Sequence, residues 1–417
     1  MTRRAFVSTA AAGALTSFAG DEKPRLRFGV LTDTHITAAP ESVARAKAAL
    51  DVFRRYSCTL ICHLGDLAES CDPAAHRLWR QTVDKVFANA APDELYAYAA
   101  HDFYDYQGKR WSLTQEECLA GYENFRLNAK IPHGLFAQRT FAGVPFIAVP
   151  QHVTREELSG MIERAEACVP DGPIFVLNHV APENTTFNSA DWGCWWTGKL
   201  LSKHPRVINL SGHTHGSLAN ERNIWQGGFT SIDAGCLAKW VAPLPGKQSR
   251  AKESYGVLVC DVFASSVVFR RIDVRDGQEF AEPWTIPLPF DPATAPYALE
   301  RRRAAAPIPA FPRHAKLELD VTPETLAVRF PSAVPAGDVF CYRVEAFKRG
   351  VLLEWESMAR EDIYGEFYLR AGERTSKHES IFRRTALNKG RPCRISVTPV
   401  GFFGQTGEPL AATTILR

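Results

Sequence analysis

The chain has 417 residues, of which 45% are hydrophobic and 23% are charged, and its formal net charge is +3. This length and composition indicate a globular protein of two or three domains with a substantial core. So small a net charge gives no electrostatic argument for a nucleic acid or a membrane surface as partner, and no segment after residue 20 is long and apolar enough to span a bilayer.

The first twenty residues have the layout of an export signal. Arg3-Arg4 precedes a small, apolar stretch, and paired arginines at this place favour the twin-arginine route. Ser17-Phe18-Ala19 offers a small-x-small cleavage site. We therefore predict that residues 1–20 are a signal peptide and that the mature protein is periplasmic or extracellular. The alternative is an ordinary amphipathic start.

Residues 25–292 alternate between predicted strands and helices. Short apolar runs indicate buried strands, and longer runs with apolar residues at helical spacing indicate helices. Such alternation is typical of a mostly parallel sheet covered by helices. The first predicted elements are strands Leu26–Leu31, Leu60–Leu64, Leu95–Ala99, Val144–Val149, Ile174–Asn178 and Val207–Leu210, and helices Ser42–Tyr56, Ala74–Asn89 and Glu156–Ala167.

The end of this region is richer in β structure. Phe229–Asp233, Tyr255–Val262 and Ser266–Ile272 are predicted to be successive strands with little helix between them. We therefore expect two sheets packed face to face with helices outside, a four-layer α/β/β/α sandwich, rather than one doubly wound sheet.

A change of composition marks a domain boundary at residues 293–310. Prolines, Arg301-Arg302-Arg303 and the alanines that follow are typical of a linker. Residues 311–417 then alternate in period two, which indicates a small all-β sandwich of immunoglobulin-like type. Its predicted strands are Lys316–Val321, Thr325–Phe330, Phe340–Phe347 and Arg394–Val400.

Acidic and imidazole side chains follow the predicted strands in order. Each block comes directly after an apolar run, so its side chains would emerge at a strand end, where open α/β sheets bind ligands. Divalent transition ions accept mixed carboxylate and imidazole ligands, and one carboxylate can bridge two ions roughly 3.5 Å apart. The pattern predicts a two-metal site with Asp66 as the candidate bridge. The blocks are Asp33-Thr34-His35, Gly65-Asp66, His101-Asp102, His179 and Gly212-His213-Thr214-His215.

Each block has a simpler interpretation when taken alone. A lone histidine such as His179 is more often a core or surface residue, and an aspartate after a strand often caps a helix. Capping, however, needs no histidine two residues after Asp33. The ordered set therefore favours metal binding.

The order of the blocks resembles that of the calcineurin-like metallophosphoesterase family, which has Asp-x-His, Gly-Asp, Gly-Asn-His-Asp/Glu, a lone His and Gly-His-x-His. The resemblance covers roughly Leu26 to Phe290, and four of the five blocks match. It implies a metallophosphoesterase fold for residues 25–292 and two divalent ions, manganese, iron or zinc. The ligands that it implies are Asp33, His35 and His215 for one ion, His179 and His213 for the other, and Asp66 between them.

The same resemblance gives His101 another role. The matching imidazole of the family lies beside the phosphate and stabilises charge or protonates the leaving oxygen. Asp102 would orient this imidazole and raise its pKa, which suits a general acid. The alternative is a surface pair near Tyr104 and Tyr106.

One block departs from the family pattern. Ala99-Ala100 stands where the family has Gly-Asn, so the second ion would lose a ligand. Water could take its place, Asp105 or Asn178 could supply an oxygen, or the ion could bind weakly and leave the enzyme slow or inactive. We favour water.

Tryptophans crowd the stretch between His179 and the Gly-His-x-His block. Trp192 and Trp195 are candidates for the wall of a substrate pocket, where an aromatic ring can stack on a base or sugar. The alternative is a packed helix face or core.

The C-terminal segment resembles a fibronectin type III module through Tyr342-Arg343-Val344 and through Leu387 followed six residues later by Cys393. Cys393 stands where the family usually has tyrosine, and Phe330 where tryptophan is common, so the core contacts would differ. Such modules pack, space or bind. Contact with a protein or a glycan is therefore open.

These features predict an exported phosphatase or phosphodiesterase in which a metal-bound hydroxide attacks a small-molecule phosphate mono- or diester. A second hypothesis stays open because of Ala100. It is a weakly active or non-catalytic relative that binds a phosphorylated ligand or a protein.

Overall fold

The computed structural model describes residues 22–88, 90–103, 114–237, 255–349, 354–383, 387 and 392–415. Within these ranges no helix has the length and apolar character needed to cross a bilayer. The predicted signal peptide lies outside the described residues, as do Tyr104, Asp105 and Tyr106.

The described part contains a first large sheet of seven strands: β1 (Leu26–Leu31), β2 (Leu60–His63), β3 (Asp93–Tyr96), β10 (Gly256–Val262), β11 (Ser266–Asp273), β12 (Gln278–Glu279) and β13 (Trp284–Pro287). The order is β12-β11-β10-β1-β2-β3, and β13 also pairs with β11. Only β1, β2 and β3 are parallel to one another. The other pairs are antiparallel. Strands β10 and β11 are joined by a short turn, as antiparallel neighbours can be, whereas β1 pairs with β10 from a distant part of the chain.

The second sheet has six strands: β4 (Ala137–Phe141), β5 (Val144–Ala148), β6 (Ile174–Leu177), β7 (Val207–Ser211), β8 (Ile224–Gln226) and β9 (Thr230–Asp233). Its order is β4-β5-β6-β7-β9-β8. The four central strands are parallel, as expected for a sheet built from βαβ units, and the two edge strands are antiparallel.

Helices cover the outer face of each sheet. The helices of the described part are α1 (Pro40–Arg55), α2 (Pro73–Phe87), α3 (Ala100–Phe103), α4 (Gln115–Ala129), α5 (Arg155–Cys168), α6 (Ser189–Trp192), α7 (Thr197–Leu201) and α8 (Leu299–Ala305). Phe53 of α1, Trp79 of α2 and Phe125 of α4 pack against the first sheet. Leu158 of α5 and Leu201 of α7 pack against the second.

The main core lies between the two sheets. Phe28 of β1 meets Phe146 of β5 edge to face at 5.1 Å, and Phe146 stacks on Phe175 of β6 at 4.8 Å. All three side chains are fully buried. The four-layer α/β/β/α sandwich predicted from the sequence is confirmed.

Helix α4 is absent from the predicted elements. Its start has a clear local signal, because Thr114 and Glu117 form a capping box. Its apolar stripe is poor, however, since Leu119 and Leu127 are 50% and 59% exposed. A helix with apolar residues on its solvent side is hard to detect from periodicity.

The C-terminal domain is an antiparallel β-sandwich, which confirms the all-β prediction. The strands are β14 (Glu318–Val321), β15 (Thr325–Pro331), β16 (Val339–Arg349), β17 (Trp355–Tyr364), β18 (Lys377–Arg383), β19 (Pro392–Gly401) and β20 (Leu410–Ile415). One sheet has the order β14-β15-β18 and the other β17-β16-β19-β20. Phe330 of β15 and Tyr342 of β16 pack together in the core, with ring centroids 5.0 Å apart.

The two domains share a packed interface. Phe187, from the loop after β6, meets Phe340 of β16 with ring centroids 5.6 Å apart. The predicted linker contains α8, and Arg302 of this helix pairs with Glu221 and lies over the ring of Phe403 at 4.7 Å. The segment between the domains is therefore docked on both of them rather than extended.

Candidate metal centre

The loops that follow β1, β2, β6 and β7 bring six predicted ligands together. Within each of two groups, the candidate ligand atoms lie within 4.8 Å of one another. The carboxyl ends of parallel strands in two packed sheets meet at one edge, so residues far apart in sequence converge there. The groups are Asp33, His35 and His215, and Asp66, His179 and His213.

Two carboxylates lie between the groups. Asp66 Oδ2 is 3.2 Å from His179 Nε2 and 3.9 Å from His35 Nε2, so it faces both sets, as the predicted bridge requires. Asp33 Oδ1 is 3.0 Å from His215 Nε2 and also 3.9 Å from His179 Nε2. Asp33, which was predicted as a ligand of the first ion, therefore also lies near a member of the second group.

Most of these residues have strained backbones. A positive φ costs a non-glycine residue about 1 kcal/mol or more, and such residues cluster at functional sites. These turns are therefore less stable locally than unstrained turns would be, and their backbone conformation directs the side chains inward. The φ values are 49° for Asp33, 42° for His35, 52° for Asp66, 72° for His213 and 51° for His215.

Two glycines make room for the turns. Gly65 has a φ of +102°, and a Cβ there would lie 2.6 Å from Ala99 Cβ and 3.1 Å from His179 Nδ1. A Cβ at Gly212 would lie 2.4 Å from Asp33 Oδ2. Larger residues would displace the ligands themselves.

Two buried ligand atoms have no hydrogen-bond partner among the described residues: Asp33 Oδ1 and His179 Nε2. Buried polar atoms without a hydrogen bond are rare. Here each lies beside another candidate ligand, since His215 Nε2 is 3.0 Å from Asp33 Oδ1 and Asp66 Oδ2 is 3.2 Å from His179 Nε2. His179 Nδ1 is bound to the Leu64 carbonyl at 2.9 Å, which leaves Nε2 as its ligand atom. These atoms fit a metal centre, and mixed carboxylate and imidazole ligands suit manganese, iron or zinc.

The electrostatics of the cluster favour a cation. Burial raises the pKa of Asp33, but His215 and His179 lower it more, so it lies well below its ordinary value. Burial lowers the pKa of His179, but Asp66 and Asp33 outweigh this and raise it to about 9. Burial and the charge of His179 lower the pKa of His213 to about 4. Two ionised, buried carboxylates thus attract positive charge, which a divalent ion supplies.

His101 lies at the edge of this cluster, on α3. Its Nδ1 is 2.7 Å from the main-chain oxygen of Glu69, and its Nε2 is 3.9 Å from Asp66 Oδ2. The carbonyl can only accept, so Nδ1 carries the hydrogen, and Nε2 is the atom directed at the centre.

The predicted orientation of His101 by Asp102 is wrong. The Asp102 carboxylate is fully buried and accepts hydrogen bonds from the backbone N–H groups of Asp66, Leu67 and Ala99 at 3.0, 2.8 and 3.0 Å. It faces the turn that holds the candidate bridge, because α3 places consecutive side chains in different directions. Asp102 is therefore a positioning residue for Asp66.

The sequence analysis missed Glu69. Its carboxylate lies 3.1 Å from His35 Nδ1, without the alignment of a hydrogen bond, and its carbonyl binds His101. One residue thus contacts two imidazoles of the site. The available signal was its place three residues after Asp66, in a turn whose other side chains face the core.

We expect Glu69→Ala to weaken binding of the first ion about tenfold or more, because an acidic neighbour orients and polarises a ligating imidazole. Glu69→Gln keeps the shape without the charge and should lose less. The main-chain contact to His101 remains in both variants, so the rate at saturating metal should change little. Metal titration by calorimetry checks this, and equal affinity in Glu69→Ala and wild type would contradict it.

Asp233 was missed as well. It is fully buried at the end of β9 and accepts hydrogen bonds from Thr214 Oγ1 at 2.7 Å and from Gly235 N at 2.9 Å. Thr214 separates His213 from His215, so the carboxylate anchors the turn that presents both.

The side-chain carboxamide of Gln151, which was not among the predicted site residues, lies next to Ala100. Gln151 Oε1 accepts a hydrogen bond from the Ala100 N–H at 2.9 Å, and the next N–H, of His101, binds Asp66 Oδ1 at 3.1 Å. Asn178 keeps a buried Oδ1 without a partner among the described residues. Gln151 thus contacts the block that departs from the family pattern, Asn178 has an unused buried oxygen, and Asp105 lies outside the described residues.

The two tryptophans have different surroundings. Trp192 is 39% exposed, and its ring lies 5.6 Å from that of His213. Trp195 is 73% exposed, and the Arg155 guanidinium lies 5.9 Å from its ring centroid. Trp192 adjoins the metal centre, while the described contact of Trp195 is on the surface.

No protein-family model matches the sequence, and the search of curated proteins found no match. A dimetal phosphatase from Danio rerio is similar in structure, with 12% identity, coverage of 64% of this chain and 99% of that chain, and a TM-score of 0.45. A purple acid phosphatase from yellow lupin seeds has 15% identity, coverage of 63% and 53%, and a TM-score of 0.43. A human fibronectin III domain has 16% identity, coverage of 27% and 83%, and a TM-score of 0.19. These similarities are weak, so the functional conclusion rests on the site geometry.

Proposed function

We propose that the protein is a metal-dependent phosphohydrolase that cleaves a phosphate mono- or diester of a small molecule. The observation that carries the proposal is the double group of buried ligands, in which Asp33 Oδ1 and His179 Nε2 have no hydrogen-bond partner among the described residues. The Nε2 atom of His101 adjoins the same carboxylate, Asp66, that faces both groups.

Divalent ions held by the two groups would acidify a water for attack on phosphorus and neutralise charge on the phosphate. His101 would hold a proton at Nε2 and deliver it to the leaving oxygen, while the Glu69 carbonyl keeps the ring in place through Nδ1. Asp102 would keep Asp66 in position through the backbone. Trp192 would cover one side of the site beside His213.

A second candidate function has one observation in its favour, which is Ala100 in place of an asparagine. A weaker second ion would leave a protein that binds a phosphorylated ligand with little turnover. Export through residues 1–20 stays a prediction.

An assay with an aryl phosphate and the corresponding diester, each in manganese, zinc and iron, separates the two candidates. The hydrolase should turn over at least one substrate in a metal-dependent way and lose activity on chelation. Measurable binding of phosphate without turnover in any metal would favour the binding protein.

Restoring the family asparagine tests whether position 100 limits the chemistry. We expect Ala100→Asn to tighten the second ion about tenfold and to raise the rate at limiting metal, because the amide oxygen adds a ligand. Ala100→Leu has nearly the same volume without the oxygen and serves as the control. Metal titration and rate measurement check both variants. No gain over Ala100→Leu would mean that another group already completes the site.

A further inference from the structure

A cavity of about 470 Å³ lies between the two domains, apart from the metal centre. The loop at 184–191, β8 and α8 line it from the first domain, and the turn at 402–404 lines it from the sandwich. This volume is in the range of small-molecule sites.

Arg222 is the residue that indicates a ligand in this cavity. Its guanidinium lies over the ring of Phe187 at 5.3 Å and over that of Phe340 at 5.8 Å, and it lines the cavity. No carboxylate in the described part of the chain pairs with it. Burial lowers its pKa, and the charge of Arg303 lowers it further. A mostly buried guanidinium without a carboxylate is costly, so a bound anion would stabilise it.

Three other arginines near the interface have acidic partners. Arg302 and Arg271 both bind Glu221, and Arg370 pairs with Asp276. Among the described residues Arg222 has no such partner, and it lines the cavity.

Neutral donors stand beside this cation. Thr186 and Asn188 line the cavity, and the buried atoms Thr186 Oγ1 and Asn188 Nδ2 have no hydrogen-bond partner among the described residues. Thr186 is only 4% exposed. A guanidinium with two neutral donors is a common arrangement for binding an oxyanion, since charge-assisted hydrogen bonds are the strong ones.

The rest of the lining suits an organic anion. Arg303 adds a second positive charge, and Asp191 is the acidic residue of the lining. Trp225, Tyr297 and Phe403 offer aromatic surface for the body of a ligand. We propose that the interdomain cavity binds a small organic molecule through its carboxylate or phosphate group, with Arg222 as the main contact. This site is independent of the proposed hydrolysis.

Calorimetric titration of the full chain with benzoate, phenyl phosphate and inorganic phosphate tests the proposal. With EDTA present, so that the candidate metal centre holds no ion and phenyl phosphate is not turned over, at least one probe should bind once per chain, because none of the candidate metal-ligand groups of the described residues lines the cavity. Arg222→Gln should weaken this binding at least tenfold, and Arg139→Gln, an exposed arginine on β4, should not change it. The preferred probe distinguishes a carboxylate from a phosphate ligand.

Arg222 also packs between the rings of Phe187 and Phe340, so its substitution could weaken binding by disturbing this packing. A second variant that leaves this packing intact distinguishes the two causes. Asn188→Asp keeps the shape and suits the left-handed backbone at φ 59°, but it replaces a donor by a negative charge. It should also weaken binding at least tenfold. Absence of binding by all three probes at millimolar concentration, binding that EDTA abolishes, or equal binding by wild type and both cavity variants would overturn the proposal.

Discussion

Asp66→Asn is expected to lower phosphohydrolase activity at least about a thousandfold, corresponding to roughly 4 kcal/mol of transition-state stabilisation. Asp66 is the carboxylate that faces both ligand groups, at 3.2 Å from His179 and 3.9 Å from His35. In the proposed centre the substitution would remove a negative charge that faces both ligand groups, so metal analysis should also show fewer ions per chain. Rates in saturating metal and metal content after dialysis measure the two effects.

Asp51→Asn, on the surface of α1, is the matched control, because it removes the same charge outside the site. The control should retain full activity and metal content. If Asp66→Asn kept wild-type activity while binding fewer ions, the proposed two-metal hydrolysis would be wrong. Loss of activity together with loss of bound metal would support it.

Asp102→Asn is expected to destabilise the protein by about 3 kcal/mol, the second large effect. The carboxylate accepts three buried N–H groups, and an amide would direct donors at some of them. Metal affinity should fall as well, because the turn around Asp66 loses its support. The midpoint of urea unfolding in EDTA measures the first effect, and calorimetry the second.

His101→Asn separates this role from catalysis. It should slow turnover about a hundredfold with a smaller change in the urea midpoint than Asp102→Asn, because the His101 side chain is 23% exposed and its ring is bound to the main chain of the exposed residue Glu69. The opposite pattern, in which Asp102→Asn slows turnover and leaves stability unchanged, would restore the orienting role that the sequence suggested.

The interface between the domains bears on the site as well. The loop after β6 that carries Phe187 into the sandwich continues through α6 to Trp192, which contacts His213. The C-terminal domain therefore packs against the segment that forms one wall of the metal centre.

Much of the fold could be predicted from local patterns. The apolar run Leu26–Leu31 is strand β1 with the predicted bounds, and Val144–Val149 differs from β5 by one residue. Buried strands need nearly continuous apolar residues, and this requirement is visible in the sequence. Helix α4 and strand β4 were not predicted, because their exposed residues obscure the hydrophobic periodicity on which the prediction depends.

Local patterns were enough to predict most strands of the first domain, its two packed sheets and the kinds of side chain available for a metal centre, because burial and ligand chemistry leave a mark on neighbouring residues. The contacts between individual atoms became visible only in the folded chain. Asp102 binds the N–H of Leu67, 35 residues away, and Arg222 meets Phe340 across the domain interface. Hydrogen-bond direction and interdomain packing depend on the meeting of distant segments, and neither has a signature in the residues nearby.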